Sequence, residues 1–173
     1  GLSLVVGVAV AEALRQAGYI AVGVKWPNDL LAHGRKLGGI LVEGGGEHGG
    51  PVRAVIGIGV NVRMPAPVAT TIDQAWTDLA GLGDGAPSRN ALASQVLDTL
   101  LPALDQFDRD GLSPFLARYA ALDMLAGRAV TVHGPQGDEQ GVADGIGDDG
   151  ALRVRMGQGV RQVHAGEVSV RAT

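Results

Sequence analysis

The chain has 173 residues, a length that fits one domain or one domain with a small appendage. Its hydrophobic fraction of 46% and its 28 glycines, which follow no period, are typical of a globular protein and exclude a fibrous repeat. The net charge is -4, no basic run is present and cysteine is absent. We therefore expect no nucleic-acid binding through this chain, no disulfides and a cytoplasmic location.

The first segment is apolar over residues 2–14 and predicts a helix that Ser3 caps and that ends near Ala17. Glu12 and Arg15 interrupt the apolar run, no basic segment precedes it, and it is too short to span a bilayer. We therefore expect a buried helix rather than a signal peptide, and no membrane partner. The chain does not begin with methionine, so we expect an upstream segment to be missing.

A strand is predicted over residues 19–25, and the polar residues that follow it break the strand. Proline cannot donate to a strand ladder, and asparagine and aspartate favour turns, so the sequence WPND at 26–29 predicts a turn. This turn places the amide of Asn28 and the carboxylate of Asp29 at the end of a strand. After a second turn at 33–35, another strand is expected to end at Glu43.

Both lysines of the chain, Lys25 and Lys36, lie in this stretch, whereas every other basic residue apart from histidine is an arginine. A compact ammonium on a flexible stem can reach a phosphate or a carboxylate and follow it through a reaction. These features favour a ligand site. The residues alone leave open a second interpretation, a β-hairpin with a polar turn and a surface lysine.

A glycine-rich loop at 44–51 leads into an apolar strand over residues 52–62, which we expect to pair antiparallel with the preceding strand. Gly57 and Gly59 are two residues apart and therefore lie on one face of that strand. They indicate either a floor for a flat ligand, with Asn61 at its end, or a bulge or closely packed helix.

Three helices are predicted next. The first runs from residue 70 or 71 to 82 and carries Trp76 on its apolar face, either as a core or lid anchor or as a stacking partner for adenine. The others begin after Ser88 and Ser113. From Gly127 onward the apolar residues alternate, which predicts short strands and a small β-barrel appended to the main domain.

Three ordered runs resemble the catalytic domain of biotin protein ligases: KWPNDL at 25–30, RKLGGILVE at 35–43 and VIGIGVNV at 55–62. The opening run GLSLVVGVAVAEAL and the closing run GEVSVR at 166–171 are similar to the bacterial biotin-operon-repressor type, so the resemblance covers nearly the whole chain. It implies an α/β (α+β) fold of the class II synthetase and biotin–lipoate ligase kind, with a mixed sheet packed against helices. It places the catalytic domain at 1–124 and an SH3-like β-barrel at 125–173.

The resemblance also implies a two-step ligation. ATP and biotin form biotinyl-5′-adenylate and pyrophosphate, and biotin then passes to a lysine of the biotin carboxyl carrier protein of acetyl-CoA carboxylase. Mg²⁺ is expected to accompany the phosphates. A homodimer stays open, because the strand after the glycine-rich loop is able to pair across a dimer.

The family's functional residues carry over one by one. Lys36 matches the catalytic lysine, which contacts the biotin carboxylate and the phosphate, and Asp29 is the position expected to orient the magnesium ion. The biotin-side positions are Lys36, Gly39, Gly57 and Gly59. The ATP-side positions are Asn28, Asp29, Asn61, Trp76 and Arg171.

One motif of the family, a glycine- and arginine-rich loop that closes over biotin, would lie upstream of the first helix and is not in this sequence. The resemblance therefore predicts that this chain carries only part of the site. Two alternatives stay open. One is a lipoate-type acyl ligase, against which the KWPND and KLGG runs argue, and the other is a non-catalytic biotin or adenylate sensor that acts through dimerisation.

Overall fold

The structure is a computed structural model that describes residues 1–45, 53–65, 72–83, 85–134, 137–165 and 169–172. The helices are α1 (Leu2–Gln16), α2 (Leu79–Leu82), α3 (Arg89–Asp110) and α4 (Leu116–Ala120), with a short 3₁₀ helix at Ser113–Phe115. The strands of the first sheet are β1 (Val22–Lys25), β2 (Asp29–Ala32), β3 (Arg35–Gly45) and β4 (Arg53–Val60). Those of the second are β5 (Ala129–Gly134), β6 (Gly137–Ile146), β7 (Leu152–Met156), β8 (Gly159–Val163) and β9 (Ser169–Ala172).

The first sheet has the order β1-β2-β3-β4, and neighbouring strands pair antiparallel, as predicted for β3 and β4. Two isolated parallel bridges extend it, one between Val24 and Asp123 and one between Lys36 and Trp76, so the sheet is mixed. The predicted mixed α/β architecture is confirmed.

Helix α1 covers one face of this sheet. Its residues from Leu4 to Ala11 are all buried because the helix is apolar almost all round, so the prediction of a buried helix is confirmed. A methyl group at Gly7 would lie 3.4 Å from Ile40 Cδ1, so the helix packs closely against β3. Among the described residues, no helix combines the length and apolarity that crossing a bilayer requires.

The expected cap of α1 is wrong. The N-cap is Gly1, and Ser3 lies inside the first turn, where its hydroxyl donates to the carbonyl of Pro27 at 3.4 Å. The helix begins earlier than predicted. Ser3 therefore links α1 to the turn that precedes β2 instead of satisfying the helix amides.

The predicted helix over residues 70–82 is also wrong in most of its described length. Only Leu79–Leu82 is helical, with Asp78 as its cap, and Trp76 lies in an extended segment. The main chain of Lys36 donates to the carbonyl of Ala75 and accepts from the amide of Thr77, both at 2.9 Å. The start of β3, where β4 does not reach, satisfies the Ala75 carbonyl and the Thr77 amide, so these groups do not need a helix.

The second sheet has the order β8-β7-β6-β5-β9, again antiparallel, which confirms the predicted C-terminal β domain. It contacts the first domain at Gly150, whose carbonyl accepts a hydrogen bond from Trp26 Nε1 at 3.1 Å. Gly150 has a φ of 83°, and a methyl group there would lie 2.9 Å from Leu4 Cδ1. Glycine is therefore required at this contact.

Several sequence-based predictions fall outside the described residues. They are residues 46–52 of the glycine-rich loop, the predicted helix start at 70–71 and residues 166–168 of the closing run. The domain boundary between residues 124 and 125 stays a prediction.

Candidate functional site

A bulge in β3 brings Lys36 to the open face of the first sheet. Leu30 of β2 pairs with Gly38, but the next residue, Leu31, pairs with Lys36, so the register skips Leu37. Side chains alternate along a strand, and without this extra residue Lys36 would share the buried face of Gly38. The bulge places the side chain of Leu37 in the core, where it is fully buried, and turns Lys36 to the opposite face.

Asp29, the first residue of β2, binds both lysines of the chain. Its Oδ1 lies 2.6 Å from Lys36 Nζ, and its Oδ2 lies 3.2 Å from Lys25 Nζ. The side chain of Asp29 is only 16% exposed, compared with 32% for Lys36, so the carboxylate is partly withdrawn from water. Two ammonium groups and one carboxylate leave this cluster with a formal charge of about +1 at neutral pH.

A row of glycines continues the open face next to this cluster. Asp29 pairs with Gly39 of β3, and Gly39 pairs with Gly59 of β4. Gly57 lies two residues before Gly59 on the same face, opposite Leu41, which is 60% exposed. The prediction that Gly57 and Gly59 share one face is confirmed.

The fold itself does not require glycine at these positions. A Cβ built at Gly39, Gly57 or Gly59 comes no nearer than 3.6 Å to another heavy atom, an ordinary van der Waals contact. None of the three has a positive φ. Among the described residues, no helix packs over this face closely enough to exclude a methyl group, so the interpretation of Gly57 and Gly59 as a helix contact is wrong.

The two predicted asparagines hold the segments beside the cluster. Asn28 donates its side-chain amide to the carbonyl of Ile40 at 2.8 Å, and its own carbonyl accepts from the Ile40 amide at 2.8 Å. Asn61 donates to the carbonyl of Thr77 at 3.1 Å and so fixes the extended segment that contains Trp76. Each asparagine therefore links a turn or loop to β3 or to the segment beside it.

These residues surround a cleft of about 430 Å³, a size typical of sites for small ligands. Its lining consists of Asn28, Asp29, Lys36, Gly39, Ile40, Leu41, Gly57, Ile58 and Gly59. Six of the nine sequence-predicted site residues are therefore brought together. The lining combines a cationic end with an apolar floor.

Trp76 lines a second cleft of about 570 Å³, together with Arg35, Asp78 and neighbouring residues. The two clefts adjoin at the bridge between Lys36 and Trp76. Arg171 lies apart from both linings within the described part of the chain. It is an exposed residue of β9 and pairs with Thr131 of β5.

The described residues contain no cluster of three or more histidine, cysteine or carboxylate groups that could hold a metal ion. Asp29 is the single carboxylate in the lining of the first cleft, and each of its oxygens is already bound by a lysine. These residues therefore do not fit a protein-bound magnesium site, because Mg²⁺ prefers oxygen ligands in an octahedral arrangement.

Sequence reasoning left Lys25 without an assigned role and did not single out Leu41. The signal for Leu41 was its spacing of two from Gly39, which places both on one face. The signal for Lys25 was its spacing of four from Asp29, because a β-hairpin with a three-residue turn makes residues at this spacing cross-strand partners.

Family models match both parts of the chain. Residues 1–61 match the biotin/lipoate A/B protein ligase family, and residues 126–171 match the biotin protein ligase C terminal domain. The apo structure of biotin protein ligase from Aquifex aeolicus has a TM-score of 0.84 at 26% identity, covering 99% of this chain and 75% of that one. The structure of that ligase with biotin and ATP has a TM-score of 0.84 at 25% identity, covering 99% and 71%.

The bifunctional ligase/repressor BirA of Escherichia coli (strain K12) is 38% identical, and the match covers 99% of this chain and 53% of BirA. The chain therefore spans about half the length of BirA. The biotin--[acetyl-CoA-carboxylase] ligase of Paracoccus denitrificans is 32% identical, with 96% of this chain and 71% of that protein covered. With two family models and a relative covered over more than two thirds of its length, the chain belongs to the biotin protein ligase family.

Proposed function

We propose that the protein containing this chain is an ATP-dependent biotin--[acetyl-CoA-carboxylase] ligase. It forms biotinyl-5′-adenylate and then transfers biotin to a lysine of the biotin carboxyl carrier protein. The observation that carries this proposal is the cleft in which Lys36 adjoins three glycines that the fold does not require.

The floor of this cleft suits biotin. A ligand that lies flat on Gly39, Gly57 and Gly59 contacts backbone directly, and a side chain on any of the three would occupy its space. The exposed side chain of Leu41 adds apolar contact. A carboxylate at one end of the ligand then meets the ammonium of Lys36, so that an acid with an apolar body fits the site.

The adjoining cleft at Trp76 suits the nucleotide. An adenine ring stacks favourably on a tryptophan, and Arg35 in the same lining offers a positive charge to a phosphate. Asn28 and Asn61 fix the segments on either side of Lys36. The role proposed for Arg171 requires the C-terminal domain to contact the nucleotide, and it rests on the family motif alone.

Lys36 is suited to the first step. The biotin carboxylate attacks the α-phosphorus of ATP, a phosphorus–oxygen bond forms, and the bond to pyrophosphate breaks. Two anions must approach each other for this attack, and a fixed cation offsets their repulsion. An ammonium has three donors, and because Asp29 takes one of them, two are left for the carboxylate and the phosphate.

In the second step, the amine of the carrier lysine attacks the acyl carbon of biotin. A carbon–nitrogen bond forms, the bond from the acyl carbon to the phosphate oxygen breaks so that AMP leaves, and the amine loses a proton to water. Mg²⁺ belongs to this proposal only as a companion of the ATP phosphates, since the described residues do not form a site for it. A homodimer through the outer edge of β4 and a catalytic domain ending at residue 124 are further parts of the proposal.

The test measures biotinyl-adenylate formation from ATP and biotin, with the longest natural form of the protein that contains this chain. We expect the wild type to form the adenylate and Lys36→Ala to form it about 100- to 1,000-fold more slowly. Arg128→Ala, which removes an exposed positive charge from the C-terminal domain, is the control and should keep the wild-type rate.

Other outcomes contradict the proposal in different ways. Biotin binding without adenylate formation supports a non-catalytic sensor. In a competition with labelled biotin, unlabelled lipoate that suppresses formation of the labelled adenylate more effectively than unlabelled biotin supports an acyl ligase of the lipoate type.

A further inference from the structure

We propose that Lys25 is a positioning residue, which holds the carboxylate of Asp29 so that Asp29 presents Lys36 to the cleft. This inference rests on the proposed ligase function of the same site. It assigns a role to the second of the two lysines, which family resemblance leaves without one.

The backbone places Lys25 directly opposite Asp29. The two residues pair across β1 and β2, and the turn between them comprises residues 26–28. The chain spacing of four residues therefore becomes a cross-strand pair, in which Lys25 Nζ lies 3.2 Å from Asp29 Oδ2. Opposite charges at directly paired positions attract and help to fix the register of the hairpin.

Lys25 does not line the open cleft around Lys36. It lines instead a small interior cavity of about 10 Å³, together with Ser3, Pro27 and Tyr119. A ligand in the open cleft therefore meets Lys36 and Asp29 but not the side chain of Lys25. Any effect of Lys25 on the reaction has to pass through Asp29.

The carboxylate of Asp29 has one oxygen for each lysine. With Oδ2 held by Lys25, the plane of the carboxylate is fixed, and Oδ1 points to Lys36 at 2.6 Å. The stem of a lysine has four rotatable bonds, and one well-directed contact restricts the position of its ammonium. Without Lys25, the carboxylate can rotate and follow Lys36.

Lys25 also compensates the charge of Asp29, a second effect that passes through this carboxylate. With both lysines, the formal charge is about +1, which favours the approach of an anionic carboxylate and phosphate. Without Lys25, the charge of Asp29 cancels that of Lys36. Asp29 is 16% exposed and Lys25 is 20% exposed, so water screens this cluster less than it screens a pair on the surface.

A double-mutant cycle in adenylate formation tests the proposal. The variants are Lys25→Met, Asp29→Asn and the double variant, each measured for kcat and for the KM of ATP and biotin in the longest natural form of the protein. We expect Lys25→Met to lower kcat/KM about 10-fold. In the Asp29→Asn background, the same substitution should change kcat/KM less than about 2-fold.

Two further variants separate positioning from structure. Lys25→Arg keeps a charge and a donor within reach of Asp29, and it should recover more than about a third of the wild-type rate. Arg128→Met removes one positive charge from an exposed position of the C-terminal domain and should leave kcat and both KM values unchanged. Thermal unfolding of every variant shows whether the hairpin of β1 and β2 is intact. If Lys25→Met does not fold, Lys25→Gln replaces it in the same cycle, because glutamine keeps a donor but no charge.

The inference is overturned if Lys25→Met leaves kcat/KM unchanged, or if its effect is the same in the wild-type and the Asp29→Asn backgrounds. A folded Lys25→Arg variant that does not recover the rate of adenylate formation also overturns the inference. A wild type that forms no adenylate contradicts the proposed function instead, so the two failures are distinguishable.

Discussion

The two faces of the first sheet differ in what determines their residues. On the packed face, a Cβ at Gly38 would lie 2.2 Å from the carbonyl oxygen of Gly59, so the close approach of β3 and β4 requires glycine. On the open face, Gly39 and Gly57 have room for a methyl group. Gly38 and Gly39 are neighbours in one strand, yet only the first is explained by folding.

This difference indicates how a ligand site affects the choice of residues on one face of a sheet. Packing explains the residues on the face that α1 covers, because each must fill its space at crystal-like density. The open face has no such constraint from the described residues. Glycine costs conformational entropy in a strand, so a row of three that the fold does not require indicates space kept for a ligand.

The largest difference between the two faces is expected for a pair of matched substitutions, Gly38→Ala and Gly59→Ala. We expect Gly38→Ala to destabilise the protein by about 1–3 kcal/mol, because its Cβ overlaps backbone that cannot move freely. We expect Gly59→Ala to change the free energy of unfolding by less than about 0.5 kcal/mol and to weaken biotin binding roughly 10-fold or more. Denaturant unfolding and calorimetric titration with biotin measure the two effects. Equal destabilisation by both variants, with biotin binding intact in Gly59→Ala, contradicts the comparison.

How far the sequence predicts each face follows from the same contrast. The alternation in β4 and the pairing of β3 with β4 were predictable, because both depend on a period of two over a long strand. The strand β2, with four residues at Asp29–Ala32, is too short to show a period. The bulge at Leu37 was not predictable, since it depends on the space available for this side chain in the core.

The error at Trp76 has a similar cause. The apolar residues near it repeat at a helical spacing, but Lys36, at the start of β3 where β4 does not reach, offers hydrogen bonds to an extended backbone. This tertiary pairing overrides local preference. The site residues are predicted from ordered motifs rather than from chemistry alone. The assignment of Arg171 to the nucleotide rests on the motif alone, because Arg171 is in neither of the two cleft linings.

The two tryptophans allow a second test of the comparison, of intermediate size. Trp76 lines the second cleft, next to that of Lys36, whereas Trp26 is buried and 1% exposed. Loss of a base-stacking ring costs about 1–3 kcal/mol, so Trp76→Ala should raise the KM for ATP about 10-fold while biotin affinity changes less than about 2-fold. Steady-state adenylate formation and biotin titration measure these quantities.

Trp26→Phe is the matched control for that variant. It removes the hydrogen bond from Trp26 to Gly150 and should lower the free energy of unfolding by about 1 kcal/mol without changing the KM for ATP. If Trp76→Ala alters stability alone, the tryptophan is a packing residue and the nucleotide lies elsewhere.

The smallest effect concerns an exception on the packed side, the carboxylate of Asp123. The backbone of this residue pairs with β1 at Val24. Its Oδ2 is buried and has no hydrogen-bond partner among the described residues. Burial raises the pKa of Asp123, although the amides of Leu125 and Ala126 partly oppose the shift. The native state therefore holds the proton more tightly than the unfolded chain does.

The sign of the pH dependence follows from this raised pKa. As pH rises from about 4 through the native pKa, the unfolded state releases its proton first, so the contribution of Asp123 to stability falls and then stays low.

Asp123→Asn keeps an acceptor for the Leu125 amide but cannot ionise. The variant should therefore gain in melting temperature relative to the wild type as pH rises, with a larger difference near about pH 8 than near about pH 4. Asp98→Asn, at an exposed position of α3, controls for the loss of one negative charge. If the difference in melting temperature is independent of pH, or shrinks as pH rises, the folded protein does not raise the pKa of Asp123.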